Sequence, residues 1–518
     1  MTISKFVNNL LIVMTMLAFF AQLLIDFSTV NIATSIIILF SGLSIVLYFR
    51  WTKALESHPL SSFALFGFCI TSILGALWVQ SASWTSVSEN LRQPLVTFTM
   101  LALYQIIAII AHTFYRMGTN PIENEKLGPF RRTFDSLGVY DVPSVSVLRI
   151  AGFFGLFSLL LAKVLPLANG LSFLVWSPFL IPVYSLQIGK EYCNIKMNYL
   201  FLAFHTVEVV FLAMFFNSRG VLLYGFATVA LILFLNAMRS QKNITAALLF
   251  RVLGVLFFGI ALSFPARDLV QAMAVARAQR AHVSPMTTIK NTIENFNNPE
   301  KLENYTKQGM AEKLRSQYDE YYIENPILAR LVTTKFHDNA IYFAGRISDK
   351  DVGYLMRDTG DFFWIALPQP FLDALKIDIN KRDFMFSIGD RLANMAVGVS
   401  LGGYRTGSVF GQGWALFGAL FSLVYFAMCF ILFAALDIFS KPTINRTIII
   451  SVIGMLNLWP NFLFGITADS FHALFIGVVR GVLQSVLMYF IVFWIAKMIT
   501  KTFHVPSLSK VSGRGSNN

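Results

Sequence analysis

The sequence predicts an all-α polytopic membrane protein, with about 12 transmembrane helices and a mostly helical extracytoplasmic domain between helices 9 and 10. Three observations lead to this fold class. Apolar residues make up 56% of the 518 positions, a fraction typical of membrane proteins. Apolar stretches of roughly 17 to 25 residues, the length that crosses a bilayer, recur along the chain. A single long stretch, residues 266–410, is polar enough to form a soluble domain.

The predicted spans fall into two groups, nine before the polar stretch and three after it. The first is longer than the apolar core of a signal peptide and a second follows almost at once, so we expect it to be retained. Prolines interrupt or bound the fifth, sixth and eleventh. The expected spans are Val7 to Phe27, Asn31 to Tyr48, Ser62 to Val79, Leu95 to Tyr115, Val147 to Leu165, Leu171 to Leu186, Asn198 to Phe216, Val221 to Met238, Ala246 to Phe264, Trp414 to Leu436, Ile448 to Phe464 and Ala473 to Ile495.

Positive charge predicts the orientation of these spans. Nineteen Lys and Arg residues lie in the segments on one side, whereas the short loops on the other side hold two, Arg92 and Arg219. Lys and Arg favour the cytoplasmic side, so we expect both termini in the cytoplasm. The net charge of +13 then reflects this bias, and we expect no nucleic-acid partner.

The chain therefore divides into four predicted parts. Residues 1–265 hold spans 1–9, residues 266–410 form the extracytoplasmic (periplasmic) domain, and residues 411–500 hold spans 10–12. A tail rich in Ser and Gly, residues 501–518, is expected to be disordered in the cytoplasm.

Ionisable residues within the spans and at their ends are the first candidates for a functional site. Arg219 lies at the outer end of the seventh span, and Glu208 lies below it on the same helix face. Arg480 lies about two turns into the last span, after Asp469 and His472 in the preceding loop. Charges at this depth are costly, so they tend to face a cavity or a partner. Each also has a structural interpretation, as a surface anchor, a snorkelling cation or a buried pair.

A second group of candidates lies in the polar stretch. Arg330 and His337 share one face of a predicted helix, and Asp338 borders that face. A cation, a base of near-neutral pKa and a carboxylate in one patch could bind phosphate and abstract a proton; a solvated charged face is the alternative. Tyr404 and Arg405 lie in a glycine-rich segment that leads into the next span.

Neither a metal site nor a cofactor is indicated. The three cysteines form no C-x-x-C pair, and the seven histidines are scattered singly. Asp349-Lys-Asp351 has the spacing with which some glycosyltransferases hold a divalent ion, but two such residues in a charged domain are weak evidence. We therefore expect chemistry that needs no metal.

Several of these segments resemble the O-antigen polymerase and O-antigen ligase superfamily. Arg219-Gly-Val-Leu-Leu223 is similar to the arginine-led motif at an outer span end of the polymerases, and Ala329-Arg-Leu331 is similar to an Arg-Leu element in their long outer loop. The glycine-rich segment before Trp414 also resembles these proteins. Where members often have Gly-Glu before the next span, this chain has Gly411-Gln412.

The resemblance implies a metal-independent glycosyltransferase, a glycan polymerase in the bacterial inner membrane. Its substrate would be a polyprenyl diphosphate-linked oligosaccharide, its surroundings membrane lipids, and a chain-length regulator a further partner. Arg219, Arg330, Arg405 and Arg480 would bind the diphosphate, and His337 or Asp338 would act as the base. Arginines that neutralise a diphosphate leaving group can replace a metal.

Four alternatives remain open at this point. An O-antigen ligase would use the same lipid-linked donor. A flippase for lipid-linked glycans usually has paired repeats and little mass outside the membrane, which differs from this chain. A glycosyltransferase with a catalytic carboxylate in its first outer loop would have to use Asp26, the sole acid there. The last is a binding module with a structural role.

Overall fold

The computed structural model describes residues 1–119, 128–162, 165–189, 192–193, 195–216, 219–246, 265–276, 285–302, 304, 319–325, 327–365, 367, 369–379, 386–403, 405–443 and 448–502. Eight helices among these residues are long and apolar enough to cross a membrane. The chain is therefore a polytopic helical membrane protein, in agreement with the predicted class.

The first half of the described chain consists of helices. One long span runs from Pro59 to Ala82 and contains a π-helical turn, Cys69–Leu74. A 3₁₀ helix, Pro166–Phe179, precedes α9. The helices are α1 Ile3–Ile25, α2 Thr29–Thr52, α3 Ala54–Ser57, α4 Pro59–Phe68, α5 Gly75–Ala82, α6 Pro94–Gly118, α7 Pro129–Ser136, α8 Val145–Leu161, α9 Leu180–Ile188, α10 Ile195–Phe215 and α11 Arg219–Arg239.

The second half contains shorter helices and one two-stranded antiparallel sheet. Residues 265–276 are helical as well. The labelled elements are α12 Pro285–Phe296, α13 Leu328–Leu331, α14 Thr334–Ala344, α15 Asp349–Ile365, α16 Gln369–Ala374, α17 Ile388–Val397, α18 Val409–Phe417, α19 Phe421–Asp437, β1 Ser440–Pro442, β2 Ile448–Ile450, α20 Val452–Leu456, α21 Leu458–Phe464, α22 Phe471–Ile476 and α23 Val482–Thr502.

The described helices match the predicted spans in part. The fifth and eighth expected spans form shorter apolar helices, Val145–Leu161 and Tyr224–Arg239. The ninth lies outside the described residues. The eleventh differs from expectation, because it consists of β2 followed by two helices of 5 and 7 residues. The count of 12 spans and the position of the polar domain outside the membrane stay predictions.

Side-chain caps fix where several helices begin. The hydroxyls of Thr2, Ser28 and Ser144 accept hydrogen bonds from backbone amides in the first turns of α1, α2 and α8. Each cap satisfies an amide that has no partner within its own helix. Proline stands at the first position of α4 and α6, where its missing N–H costs nothing.

Stacked aromatic rings hold α18 inside the bundle. The Phe410 ring lies 5.0 Å from the Tyr104 ring and 5.4 Å from the Phe68 ring, centroid to centroid. All three side chains are fully buried. Because they belong to α18, α6 and α4, the helix that follows the polar stretch is packed against the N-terminal spans.

The π-helical turn in the third span is hydrogen-bonded to the start of α14. Its wider winding leaves carbonyls without partners in the span. The Thr333 amide donates to the Thr71 carbonyl at 2.8 Å, and the Thr334 hydroxyl donates to the Ser72 carbonyl at 2.9 Å. Ten of the 11 residues of α14 are buried. This part of the polar stretch is therefore inserted among the spans.

Candidate functional site

A cavity of about 510 Å³ lies between α19, the pair α20–α21 and the helix pair α22–α23. Its lining is mostly apolar and includes Leu432, Leu436 and Phe464. Thr406 and Asp469, which we call the rim, also line it. The cavity therefore has a mostly apolar body, which Asn457, Asn461 and Ser485 also line, and a polar rim.

The cavity exists because the eleventh expected span is interrupted. Asn457 separates α20 from α21, and Pro460 in α21 has no N–H to donate. The Asn457 carbonyl accepts from both the Asn461 side chain, at 2.7 Å, and the Asn461 backbone amide, at 3.2 Å. Two helices this short leave space that a continuous helix would fill, and such breaks within a membrane occur where they line a cavity.

Two glycines widen the cavity on its opposite wall. Gly477 and Gly481 line it and bound a second π-helical turn, Gly477–Gly481. A Cβ atom on Gly477 would have no heavy atom within 4 Å. The space beside Gly477 is thus open to a ligand.

Close backbone packing holds the two rim residues together. The Val409 amide donates to the Ala468 carbonyl at 2.9 Å. A Cβ atom on Gly407 would lie 2.5 Å from the Asp469 carbonyl oxygen, so only glycine allows this approach. The glycine-rich segment that the sequence singles out therefore joins the loop before α22.

Asp469 is the acidic residue of the rim. Its side chain lines the cavity and keeps access to solvent, although nearby protein atoms replace part of its hydration shell. This partial loss of hydration raises the pKa of Asp469. The Ser470 hydroxyl donates to its Oδ1 atom at 3.2 Å. A carboxylate with a raised pKa beside a cavity is suited to accept a proton.

Two arginines near the rim in the chain each pair with an aspartate. Arg405, which precedes the rim residue Thr406, donates from Nη1 to Asp390 Oδ1 at 2.8 Å and to the Ser400 carbonyl at 2.7 Å. Arg391 pairs with Asp358. Since Asp390 is fully buried, Arg405 is fixed in place by a charge-assisted hydrogen bond.

His472 belongs to a stack of side chains that connects Arg391 to α22. The His472 ring is stacked on the Phe362 ring, with 4.1 Å between the centroids and 8° between the planes. The Arg391 guanidinium lies 5.3 Å from the centroid of the same Phe362 ring. Burial and the charge of Arg391 lower the pKa of His472 to about 4. The imidazole is therefore neutral at pH 7.

Asp338 caps a helix. Its carboxylate accepts from the Arg92 amide at 2.7 Å, the Gln93 amide at 3.1 Å and the Thr97 hydroxyl at 2.9 Å, at the start of α6. Lys335 Nζ lies 3.9 Å from Oδ2. The side chain is fully buried. Its oxygens thus hold α14 to the beginning of α6.

His337 precedes Asp338 in α14 and contacts a different set of residues. Its Nδ1 atom lies 2.7 Å from Ser408 Oγ, and its Nε2 atom lies 3.1 Å from Ser72 Oγ. Burial lowers the pKa of His337 to about 3, so it is neutral at physiological pH. Ser408 caps α18 and is two residues from Thr406. His337 therefore positions the segment that forms the rim.

The structure also describes the side chains of three other predicted residues, Arg480, Arg330 and Glu208. Arg480 is exposed on the π-helical turn, and its Nε donates to Gln484 Oε1 at 3.3 Å. Arg330 is exposed, with its guanidinium 5.9 Å from the Phe336 ring. Glu208 lies on α10, with Oε2 3.5 Å from His205 Nδ1.

Two predicted positions lie wholly or partly outside the described residues. The Arg219 backbone begins α11, and its side chain lies outside the described part, as does all of Tyr404. Of the expected diphosphate ligands, the structure brings Arg405 to the rim segment and Arg480 to a helix that lines the cavity.

Three features of the site were missed by sequence reasoning. The buried carboxylate of Asp390, the rim residue Thr406 and the Arg391–Phe362–His472 stack depend on contacts between distant segments. The interrupted helix had a local signal, because Asn457 and Asn461 flank Pro460 in an otherwise apolar stretch. In the described residues, no group of three or more His, Cys, Asp and Glu side chains lies close enough to hold a metal.

Comparison of the chain with protein-family models, curated proteins and solved structures gives no match. The geometry of the cavity and its rim therefore carries the functional argument.

Proposed function

We propose that the protein is a glycan polymerase that transfers a polyprenyl diphosphate-linked oligosaccharide to an acceptor sugar hydroxyl. The reaction would take place at the outer face of a bacterial inner membrane, with both termini in the cytoplasm. The observation that supports this most directly is the cavity with an apolar body and a polar rim. A lipid chain would fit the apolar body, and a charged sugar diphosphate would fit the polar rim.

The dimensions of the cavity suit such a substrate. Its lining on α22–α23 extends from Ala473 to Ser485, which is roughly 18 Å at 1.5 Å per residue. An isoprenoid chain held along this wall would bring its diphosphate to the level of Thr406 and Asp469. Binding pockets are typically apolar, with a few polar groups that orient the ligand.

Residues at the rim supply what the transfer needs. The acceptor hydroxyl oxygen would attack the anomeric carbon, the bond from that carbon to the diphosphate oxygen would break, and the hydroxyl proton would pass to Asp469. The diphosphate would leave on its polyprenyl carrier. Arg405, with Arg480 on the lining helix, would stabilise the charge that develops on it.

Among the candidate bases, Asp469 is favoured over the pair in α14. Asp338 accepts three structural hydrogen bonds, and His337 is buried between two serines. Asp469 lines the cavity. We therefore assign proton transfer to Asp469 and the positioning of the rim to His337.

Removal of the Asp469 carboxylate tests the proposal. Purified Asp469→Asn protein, reconstituted in vesicles with the lipid-linked oligosaccharide, should lose transfer by about 10²- to 10⁴-fold, the usual contribution of a general base. Asp378→Asn, an exposed carboxylate in the polar stretch, is the matched control and should retain full activity. Normal glycan elongation by folded Asp469→Asn protein would refute the assignment.

A flippase for the same lipid-linked glycans is the second candidate. The interrupted pair α20–α21 favours it, because broken helices beside a cavity are common in transporters. Cells that lack the protein distinguish the two functions. Single repeats that accumulate on the outer side support a polymerase, repeats trapped on the cytoplasmic side support a flippase, and finished chains left on the carrier indicate a ligase.

A further inference from the structure

A second cavity, of about 660 Å³, is lined by a separate set of residues from the first. The first turns of α1, the end of α2 and the residues after α11 enclose it. Its lining contains Lys5, Arg50 and Lys53. We call it the N-terminal groove. None of the functions considered above uses it.

Backbone contacts build the groove from separate parts of the chain. The Ile3 amide donates to the Lys242 carbonyl at 2.9 Å, and the Ser4 amide donates to the Ser240 carbonyl at 3.1 Å. Lys53 has a left-handed backbone with φ of 49°, which turns the chain sharply at the end of α2. The groove is therefore a folded feature, held by more than its side chains.

The charge in the groove is strongly positive. Within the described residues, no hydrogen bond or ion pair involves the side chains of Lys5, Arg50 or Lys53. The one acid in the lining, Glu56, accepts from the Gln241 amide at 2.7 Å. Three cations that line one cavity without a carboxylate partner are suited to a phosphate group.

A polar atom in the groove requires a donor as well. The Asn8 Oδ1 atom is buried and has no hydrogen-bond partner among the described residues, and Asn8 lines the groove. A carbonyl oxygen accepts only, so the ligand should carry a hydroxyl or amine beside its phosphate.

Apolar side chains continue from the edge of the groove along the bundle. Trp51 is 75% exposed, and Val13 and Leu17 are 51% and 64% exposed. Asn9 lines the groove, and Val13 and Leu17 follow it at intervals of four residues on one face of α1. Tryptophan favours the boundary between lipid and water. An exposed apolar surface thus continues from the basic groove along α1.

We propose that the N-terminal groove binds the phosphate of an anionic glycerophospholipid. Lys5, Arg50 and Lys53 would contact the phosphate, Asn8 would accept from a headgroup hydroxyl, and the acyl chains would lie along α1. Basic pockets between membrane helices bind anionic headgroups in this way. The ligand class is a phosphodiester lipid with hydroxyl groups, such as a phosphatidylglycerol.

Thermal unfolding of the full-length protein tests this site. Wild-type protein in neutral detergent is titrated with phosphatidylglycerol, with phosphatidylcholine and with inorganic phosphate. Phosphatidylglycerol should raise the unfolding temperature in a saturable manner. In the Lys5→Gln/Arg50→Gln/Lys53→Gln variant, the apparent affinity should fall about 100-fold, as expected for the loss of three cations near an anionic lipid.

A charge-matched variant controls for general electrostatic attraction. Lys290→Gln/Lys301→Gln/Lys376→Gln removes three exposed cations from the polar stretch and should bind phosphatidylglycerol like the wild type. An equal loss in both variants, or no loss in the groove variant, would overturn the proposal. Equal stabilisation by inorganic phosphate alone would retain the phosphate site and reject a lipid as its occupant.

Discussion

The Nδ1 atom of His337 lies 2.7 Å from the Oγ atom of Ser408, the residue that caps α18. This hydrogen bond joins two segments that are 71 residues apart in the chain. It holds the start of α18 against α14, and α14 is fixed in turn to the π-helical turn of the third span. The rim of the cavity therefore depends on an imidazole that never needs to contact substrate.

Acid should destabilise the protein through His337. Its pKa is lowered to about 3 in the folded state, whereas an unfolded histidine has a pKa near 6.5. Below pH 6.5 the unfolded chain takes up a proton that the folded chain excludes, so stability present above this pH is lost as pH falls toward 3. The loss approaches about 1.4 kcal/mol per pH unit.

Unfolding temperatures between pH 7.5 and pH 4.5 measure this effect. His337→Gln should be less stable at pH 7.5 and should show a shallower decrease toward acid than the wild type. His472→Gln should change the slope to a similar extent in this range, because the pKa of His472 is lowered to about 4, still below pH 4.5. Identical slopes for wild type and His337→Gln would contradict the prediction.

Asp338→Ala should unfold the protein rather than block its chemistry. The change leaves the Arg92 and Gln93 amides, the Thr97 hydroxyl and Lys335 without their buried acceptor, at a cost of about 3 to 5 kcal/mol. Asp338→Asn keeps one acceptor oxygen and should cost less. Specific activity per folded molecule should stay within a few-fold of wild type in Asp338→Asn. A folded but inactive Asp338→Asn variant would assign a chemical role to this carboxylate.

Filling the cavity should weaken substrate binding without destabilising the fold. A leucine at Gly477 would enter the open space, because no heavy atom lies within 4 Å of its Cβ position. Gly353→Leu is the matched control, since Gly353 lies in α15 and has equally open surroundings. Binding of a polyprenyl diphosphate should weaken about 5- to 150-fold in Gly477→Leu, by analogy with overpacking of about 1 to 3 kcal/mol. Unchanged binding would separate the cavity from the lipid substrate.

Arg405 should require its planar guanidinium. Arg405→Lys keeps the charge but loses the fork, and we expect transfer to fall on the order of 10- to 1000-fold. Arg405→Gln alone also leaves the buried Asp390 charge unpaired, which destabilises the fold. The double variant Arg405→Gln/Asp390→Asn should regain stability and remain inactive. Recovery of activity with stability would limit Arg405 to a structural role.

Transfer should proceed in excess EDTA, because we expect arginines to neutralise the diphosphate. Product formation by purified protein is measured with and without the chelator, and again after addition of magnesium or manganese. If EDTA abolished turnover and either ion restored it, metal-independent chemistry would be refuted, and Asp349 and Asp351 would become the candidate metal ligands. Activity that is insensitive to both treatments agrees with metal-independent chemistry.

Hydropathy predicted the long helices because each is a local property of the chain. Between Ile448 and Phe464 the composition is that of a span with an expected proline interruption, and the structure has two short helices that meet at Asn457, with Pro460 in the second. The positions of His337 and Asp338 could not be foreseen in the same way. Their partners Ser72 and Thr97 are 265 and 241 residues away, and periodicity within one helix carries no information about such contacts.

The π-helical turn at Cys69–Leu74 also sets the rotational phase of the third span. Removing one residue from the turn would rotate everything after it by about 100°. Gln80, whose amide now donates to the Tyr322 carbonyl at 2.9 Å, and Ser81, whose hydroxyl lies 3.0 Å from Gln22 Nε2, would both face other neighbours. One inserted residue thus keeps the part of the span after the turn, Gly75–Ala82, in register with Tyr322 and with α1.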